Sequence, residues 1–158
     1  MSSGPDAGLL VDNSVYARLG HPTVATVWRE AQARNELVAC GPFVGEALYS
    51  ARNAAELEQL LEELTLGMRY VGLDDRTWRL AYETQRSMAA VAPQFHRRPL
   101  GDYLVAAAAH QHRLGVLHYD RDFDLLLDHG GLRFESRWVA EPGSLTDRGT
   151  DALRPTPA

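Results

Sequence analysis

Four acidic residues stand where predicted strands end or predicted helices begin. Asp12 and Asp120 each follow a short apolar run. Glu46 lies in a helix that follows another apolar run, and Asp102 lies in the first turn of an alanine-rich helix. Crowded carboxylates repel one another and loss of water raises their pKa values, so such a group persists only beside a cation. Because hard divalent cations prefer oxygen ligands, the four acids predict a Mg²⁺ or Mn²⁺ site.

The chemistry of such a site would be hydrolysis of a nucleic-acid backbone. A divalent cation activates water and neutralises charge on a phosphodiester that undergoes displacement. The alternative is that each acid only caps a helix, which is worth about 1 kcal/mol. Asp102 and Asp120 are well placed to be caps, whereas Glu46 lies inside the apolar segment Phe-Val-Gly-Glu-Ala-Leu. Spacing alone leaves both interpretations open.

The elements that must position these acids alternate between strands and helices. Strands are predicted at 8–12, 37–40, 69–73, 116–119 and 132–138, and helices at 14–19, 22–35, 42–50, 53–66, 74–92, 102–114 and 122–127. This alternation indicates an α/β fold with a mostly parallel central sheet and helices on both faces. Because such sheets place their sites at the carboxyl ends of the strands, the four acids are expected to converge there.

Length and composition indicate one domain. The chain has 158 residues, and we expect a loose leader at 1–7, a single domain at 8–139 and a flexible tail at 140–158, where Pro, Gly, Thr and Asp are frequent. The start of the chain lacks the basic and apolar regions of a signal peptide, and no apolar run is long enough to span a membrane. With Cys40 as the only cysteine, we expect no disulfide and no cysteine-rich zinc site, and a cytoplasmic location.

The net charge argues against a protein that binds nucleic acid through a broadly basic surface, but it is compatible with a local site formed by arginines. The formal net charge is -5, and all 16 basic residues are arginine. Arginine is the better phosphate clamp, because its planar fork matches two phosphate oxygens. Arg97 and Arg98 directly precede the segment that carries Asp102. They are either a clamp that brings RNA to the acids or part of a solvated loop.

The ordered set of motifs resembles the PIN-domain ribonucleases, and in particular the VapC toxins. Leu-Leu-Val-Asp-Asn-Ser at 9–14 is similar to the first strand of that family, and Glu46 follows the second strand, as the family's glutamate does. The segment 102–123, from Asp-Tyr-Leu-Val through the alanine helix to Tyr-Asp-Arg-Asp-Phe, is the strongest match. Order and spacing agree over about residues 8–138.

This resemblance implies a PIN fold, a Mg²⁺ or Mn²⁺ site and ribonuclease activity on single-stranded RNA. It also implies a small antitoxin partner and a toxin homodimer. The implied metal-binding and catalytic acids are Asp12, Glu46, Asp102 and Asp120, with Asp122 as an auxiliary metal-binding acid. Ser14 would orient water or a neighbouring acid through its hydroxyl group.

One position departs from the family pattern. The family commonly has Thr or Ser two residues before the fourth acid, and this chain has His118. We expect His118 to pack beside the site and donate a hydrogen bond to Asp120, in preference to binding the metal. Asp124 and Asp128 are expected to be solvated helix charges.

Other functions remain as alternatives. The first is a PIN-like module that is weakly active or inactive and only binds a partner; the full set of acids argues against it. Receiver domains and haloacid-dehalogenase-type phosphotransferases also carry acids at strand ends, but they balance the phosphoryl group with a lysine, and this chain has none. A flap-like DNA nuclease is disfavoured by the small size of the chain.

Overall fold

Five short strands pair in parallel in the order β3-β2-β1-β4-β5 in a computed structural model that describes residues 8–145. The strands are Leu9–Val11 (β1), Leu37–Cys40 (β2), Arg69–Val71 (β3), Gly115–His118 (β4) and Ser136–Trp138 (β5). The expected leader at 1–7 and most of the expected tail, 146–158, lie outside the described residues.

Seven α-helices flank the sheet within the described part of the chain. They are Asn13–Tyr16 (α1), Pro22–Ala33 (α2), Gly41–Ala47 (α3), Ala54–Thr65 (α4), Asp75–Ala89 (α5), Leu100–His112 (α6) and Arg121–His129 (α7), with a single 3₁₀ turn at Leu48–Ser50. The predicted α/β architecture is therefore confirmed. None of the helices between residues 8 and 145 has the length and apolar character needed to cross a membrane.

The central strand β1 explains why two of the acids meet. All three of its residues are buried, as expected for a strand covered on both faces. Val11 pairs with Leu117 of β4, and the amide of Asp12 donates to the carbonyl of Leu117 at 3.0 Å. The residues that follow β1 and β4 consequently leave the sheet side by side at its carboxyl edge.

Helix α6 brings a third acid to the same edge. Residues 102–109 are all buried, and their four consecutive alanines let the helix lie close to its neighbours. The helix ends earlier than predicted, because Arg113 adopts a left-handed conformation (φ 56). Gly115, expected to end the helix, begins β4, where a Cβ would lie 2.7 Å from the side chain of Leu9.

The predicted edge strands are longer than the observed ones. The prediction for β5 was 132–138, and only Ser136–Trp138 form the strand. The prediction for β3 was 69–73, and Arg69–Val71 form it. β3 and β5 are the edge strands, and each has one neighbour in the sheet. Strand pairing therefore stops where that neighbour ends, although the apolar sequence pattern continues.

Candidate active site

Three of the four predicted acids form one group at the carboxyl edge of the sheet. Asp12, Asp102 and Asp120 each offer a carboxylate oxygen, and these oxygens lie within 4.8 Å of one another. The first two residues are each only 7% exposed, and Asp120 is half-buried. Three elements that are distant in sequence thus place three carboxyl groups close together in a largely buried space.

Burial and mutual repulsion change the proton affinity of these acids. Burial raises the pKa of Asp102 to about 8, and the charges of Asp12 and Asp120 contribute further to the rise. Burial also raises the pKa of Asp12 and the pKa of Asp120. Asp102 Oδ2 is buried, and no group between residues 8 and 145 forms a hydrogen bond with it. Because a buried oxygen of this kind is costly without a partner, the donor set fits a hard divalent cation.

Hydrogen bonds hold two of the three carboxylates in place. The carboxylate of Asp12 accepts from the amide of Ser14 at 2.9 Å and from its hydroxyl group. The same hydroxyl oxygen accepts from the amide of Tyr119 at 2.9 Å, which ties the ends of β1 and β4 together. Asp120 accepts from the amide of Asp122 at 2.9 Å. Both acids cap the short helices that follow them.

Glu46 lies beside the three-acid group and not within it. Its side chain is exposed, and its carboxylate accepts from Asn13 Nδ2 at 3.2 Å. Its negative charge contributes to the raised pKa values of Asp12 and Asp102. A Cβ on Gly101 would lie 2.7 Å from Glu46 Oε1. Because Gly101 has no side chain, the carboxylate of Glu46 can lie close to the backbone of α6.

Asp122, the predicted auxiliary acid, is paired with a cation. Its carboxylate forms a short ion pair with Arg98, whose side chain is 13% exposed and stacks 4.5 Å from the ring centroid of Phe95. Arg97, the neighbour of Arg98, is exposed. The two arginines that the sequence groups as one clamp thus differ: Arg98 is held inside the site, and Arg97 faces solvent.

Sequence reasoning missed one cation at the site, Arg18. Its guanidinium lies 4.8 Å from the ring centroid of Tyr119 and donates to the carbonyl of Ser14 at 2.8 Å. Its positive charge acts to lower the pKa of Asp120. The signal was its position four residues after Ser14, which places both residues on one side of a helical turn.

His118 is fully buried and contacts Asp120 differently from the prediction. Its Nδ1 accepts from the backbone amide of Asp120 at 3.1 Å, where a bond donated to the carboxylate was expected. Burial lowers the pKa of His118 to about 4, so the ring is neutral at pH 7. With Nδ1 as the acceptor, the single proton is on Nε2, which lies 2.7 Å from Ser136 Oγ.

Asp124 is also not the solvated charge that the sequence predicts. It is half-buried, and its carboxylate accepts from Ser136 Oγ at 2.5 Å and from Trp138 Nε1 at 2.8 Å. Asp128, one turn later on α7, is exposed, as predicted.

An α/β sheet with three acids grouped at its carboxyl edge defines a candidate metal site on a parallel sheet, and comparisons with known proteins identify the family. The family model described as "PIN domain" matches residues 9–126. Ribonuclease VapC18 of Mycobacterium tuberculosis is 32% identical over 136 residues, which are 85% of this chain and 97% of that protein. Ribonuclease VapC51 of the same organism is 33% identical and covers 86% of this chain and 96% of its own length.

Solved structures support the same fold. FitAcB from Neisseria gonorrhoeae aligns with a TM-score of 0.55 at 20% identity over 77% of this chain and 94% of its own. FitAB bound to an IR36 DNA fragment aligns with a TM-score of 0.60 at 16% identity over 83% of this chain and 94% of its own. The family model and the relatives of 32–33% identity show that the chain belongs to the PIN-domain family, with VapC ribonucleases among its relatives, and the resemblance found in the sequence is confirmed.

Proposed function

We propose that the protein is a metal-dependent endoribonuclease and the toxin of a toxin–antitoxin pair. The observation that carries the proposal is the group of three acids, Asp12, Asp102 and Asp120, at the carboxyl edge of a PIN-domain sheet. The relatives that match most of the chain are named ribonucleases. The substrate we propose is single-stranded RNA, and the cytoplasm, where RNA and a protein partner are both available, is the expected location.

The three grouped acids would hold Mg²⁺ or Mn²⁺, with Glu46 and Asp122 beside them. Such a cation supplies an activated water and neutralises charge on the phosphodiester. Ser14 fixes the orientation of Asp12, and the amide of Asp122 fixes that of Asp120. Asp102 holds a proton near neutral pH in the metal-free protein because its pKa is about 8, and that proton must leave before the carboxylate can act as a ligand.

The direct test uses purified protein and a single-stranded RNA. We expect cleavage with Mg²⁺ or Mn²⁺ and none in excess chelator, with activity restored when the cation is added back. Cleavage that continues at full rate in chelator would exclude the metal-dependent mechanism. Mapping the RNA ends after induced expression would then identify the site of cleavage in the cell.

Gly101→Ala tests the position of Glu46. The new Cβ would lie 2.7 Å from Glu46 Oε1, so we expect the carboxylate to move and the cleavage rate to fall several-fold. The fold should be retained, since alanine is favoured over glycine in a helix by about 0.5–1 kcal/mol. Gly45→Ala is the matched control, because a Cβ there meets no atom within 4 Å among the described residues. Equal rates for both variants would show that Glu46 has no defined position in catalysis.

Arg97→Ala tests the contact with RNA. Arg97 is exposed next to the site, and we propose that it binds a phosphate. Its loss should reduce the slope of log affinity against log salt by about 0.7, the value for one contact with a single strand. Affinity is measured on the Asp12→Asn background to prevent cleavage. The control is Arg34→Ala, which removes an exposed arginine paired with Glu36 near the start of β2; an equal change in slope there would contradict the assignment.

For the partner we propose a small antitoxin, and for the toxin itself a homodimer. The antitoxin helix would contact α4, whose leucines form a stripe from Leu57, which is 36% exposed, to buried Leu64. The neighbouring Tyr49 and Leu66 are strongly exposed, and an amphipathic helix buries its apolar face against apolar side chains of its partner. Co-expression with the product of an adjacent reading frame should yield a stable complex and suppress RNA cleavage. A complex that forms equally well with Leu57→Glu would exclude this surface.

A further inference from the structure

We propose that Ser136 and Asp124 are positioning residues for Asp120, and that His118 connects them to it. This inference rests on the proposed function, because it concerns how one of the metal-binding acids is held. It adds contacts from β5 and α7 to the description of the site at the carboxyl edge.

The contacts form a continuous series in which every donor has an acceptor. The amide of Asp120 donates to His118 Nδ1 at 3.1 Å, and His118 Nε2 donates to Ser136 Oγ at 2.7 Å. The hydroxyl of Ser136 donates to Asp124 Oδ1 at 2.5 Å. Trp138 Nε1 donates to Asp124 Oδ2 at 2.8 Å. The direction of each bond is fixed, because a backbone amide can only donate and a carboxylate can only accept.

The series connects strand β4, strand β5 and helix α7. Strand β5 has only three residues and a single neighbour, β4. Ser136 and Trp138 are two residues apart and so point to the same face of the sheet, where both contact Asp124 of α7. Helix α7 has Asp120 as its N-cap. The contacts from β5 therefore help to fix the start of α7, where the carboxylate of Asp120 lies.

The histidine ring is suited to this connection by its length and its packing. Its two nitrogens face different elements, Nδ1 the start of α7 and Nε2 strand β5. The ring lies between two aromatic side chains, with 4.9 Å from its centroid to that of Phe123 and 4.9 Å to that of Trp138. Ser136 and Trp138 lie beyond the region matched by the family model, which ends at residue 126.

The test compares Ser136→Ala with Ser136→Thr. Alanine removes the middle of the series, and threonine restores the hydroxyl group on a residue that suits a strand. Loss of a group that supports a metal ligand typically costs 10–100-fold in metal affinity or activity. For Ser136→Ala we expect about tenfold weaker Mn²⁺ binding by calorimetry and a similar fall in kcat. KM for RNA should stay within twofold of the wild type, and Ser136→Thr should recover most of both losses.

Arg137→Ala is the matched control on the same strand. Its side chain is exposed on the opposite face and pairs with Glu135, so Mn²⁺ affinity and kcat should equal those of the wild type. If Ser136→Ala does not fold, Trp138→Phe replaces it, because it keeps an aromatic ring and removes the donor to Asp124. The loss of Mn²⁺ affinity expected for Trp138→Phe is smaller than that expected for Ser136→Ala.

Two results would overturn the inference. The first is unchanged Mn²⁺ affinity in Ser136→Ala, or in Trp138→Phe where that variant is used. The second is a joint loss of thermal stability, kcat and KM that Ser136→Thr does not rescue, which would indicate that the hydroxyl only supports the fold. If wild-type protein binds Mn²⁺ but cleaves no RNA, the proposed function fails, and the order of Mn²⁺ affinities among the variants still decides the role of Ser136.

Discussion

Asp12→Asn is expected to lower the rate of RNA cleavage by about 10²–10³-fold while the protein stays folded. Asp12 is buried and belongs to the three-acid group. An amide lacks the negative charge that holds a cation, and several kcal/mol of transition-state stabilisation depend on that cation, at about 1.4 kcal/mol for each factor of ten. The new side chain can still accept from the amide of Ser14, so the helix cap is kept.

The measurement is single-turnover cleavage with saturating Mg²⁺ and with saturating Mn²⁺. The matched control is Asp128→Asn, the same chemical change at an exposed position on α7, which should cleave at the wild-type rate. Equal melting temperatures would confirm that Asp12→Asn remains folded. Cleavage by Asp12→Asn within tenfold of the wild type would remove Asp12 from the catalytic group and favour a protein that mainly binds a partner.

The convergence of the acids could be predicted because it depends on local patterns. Apolar runs that end in an acid identify Asp12 and Asp120, and the carboxyl ends of parallel strands share an edge. The sequence left open whether these acids cap helices or serve a metal site. In the structure Asp12 and Asp120 accept a cap hydrogen bond and also belong to the three-acid group. The two interpretations are compatible, because a carboxylate has two oxygens.

Asp102 differs from these two acids, and this could not be read from spacing. The N-cap position of its helix is Pro99, which forms no side-chain cap hydrogen bond, and Asp102 Oδ2 is buried with no hydrogen-bond partner in the region 8–145. An acid in the first turn of a helix is often a cap, so its type and place favoured that role. The surrounding elements bury Asp102 and leave it without a cap hydrogen bond. That burial depends on tertiary packing, which spacing along the sequence does not contain.

Two contacts among the side chains around the acids could not be predicted from the sequence. Arg98 pairs with Asp122 across 24 positions, and the loop that brings them together contains Gln94 at a positive φ of 66. His118 and Ser136 meet only because β5 pairs with β4. Spacing predicts neighbours along one element, whereas these contacts depend on which strands become adjacent. Apolar patterns contain little information about that order.

Asp102→Asn is expected to stabilise the metal-free protein at neutral pH. The pKa of Asp102 is about 8 in the fold, against an ordinary value of 3.8. The folded state therefore binds more protons than the unfolded state between these values, and the wild type should lose stability as pH rises from about 4 to 8. One pKa unit corresponds to about 1.4 kcal/mol. Because water reaches part of the site through half-buried Asp120, we expect a gain of about 1–2 kcal/mol at pH 7.

The decisive measurement is the melting temperature in chelator and in saturating Mn²⁺, across that pH range. In chelator, Asp102→Asn should melt higher than the wild type at pH 7, with a flatter dependence on pH. In Mn²⁺ the order should reverse, since a cation that binds only the folded state stabilises the protein that binds it better. Asp128→Asn should follow the wild type in both conditions. A lower melting temperature of Asp102→Asn in chelator would mean that the carboxylate stabilises the fold without a metal. The burial of Asp102 would then have a structural role, and its raised pKa would no longer support a metal site at this edge of the sheet.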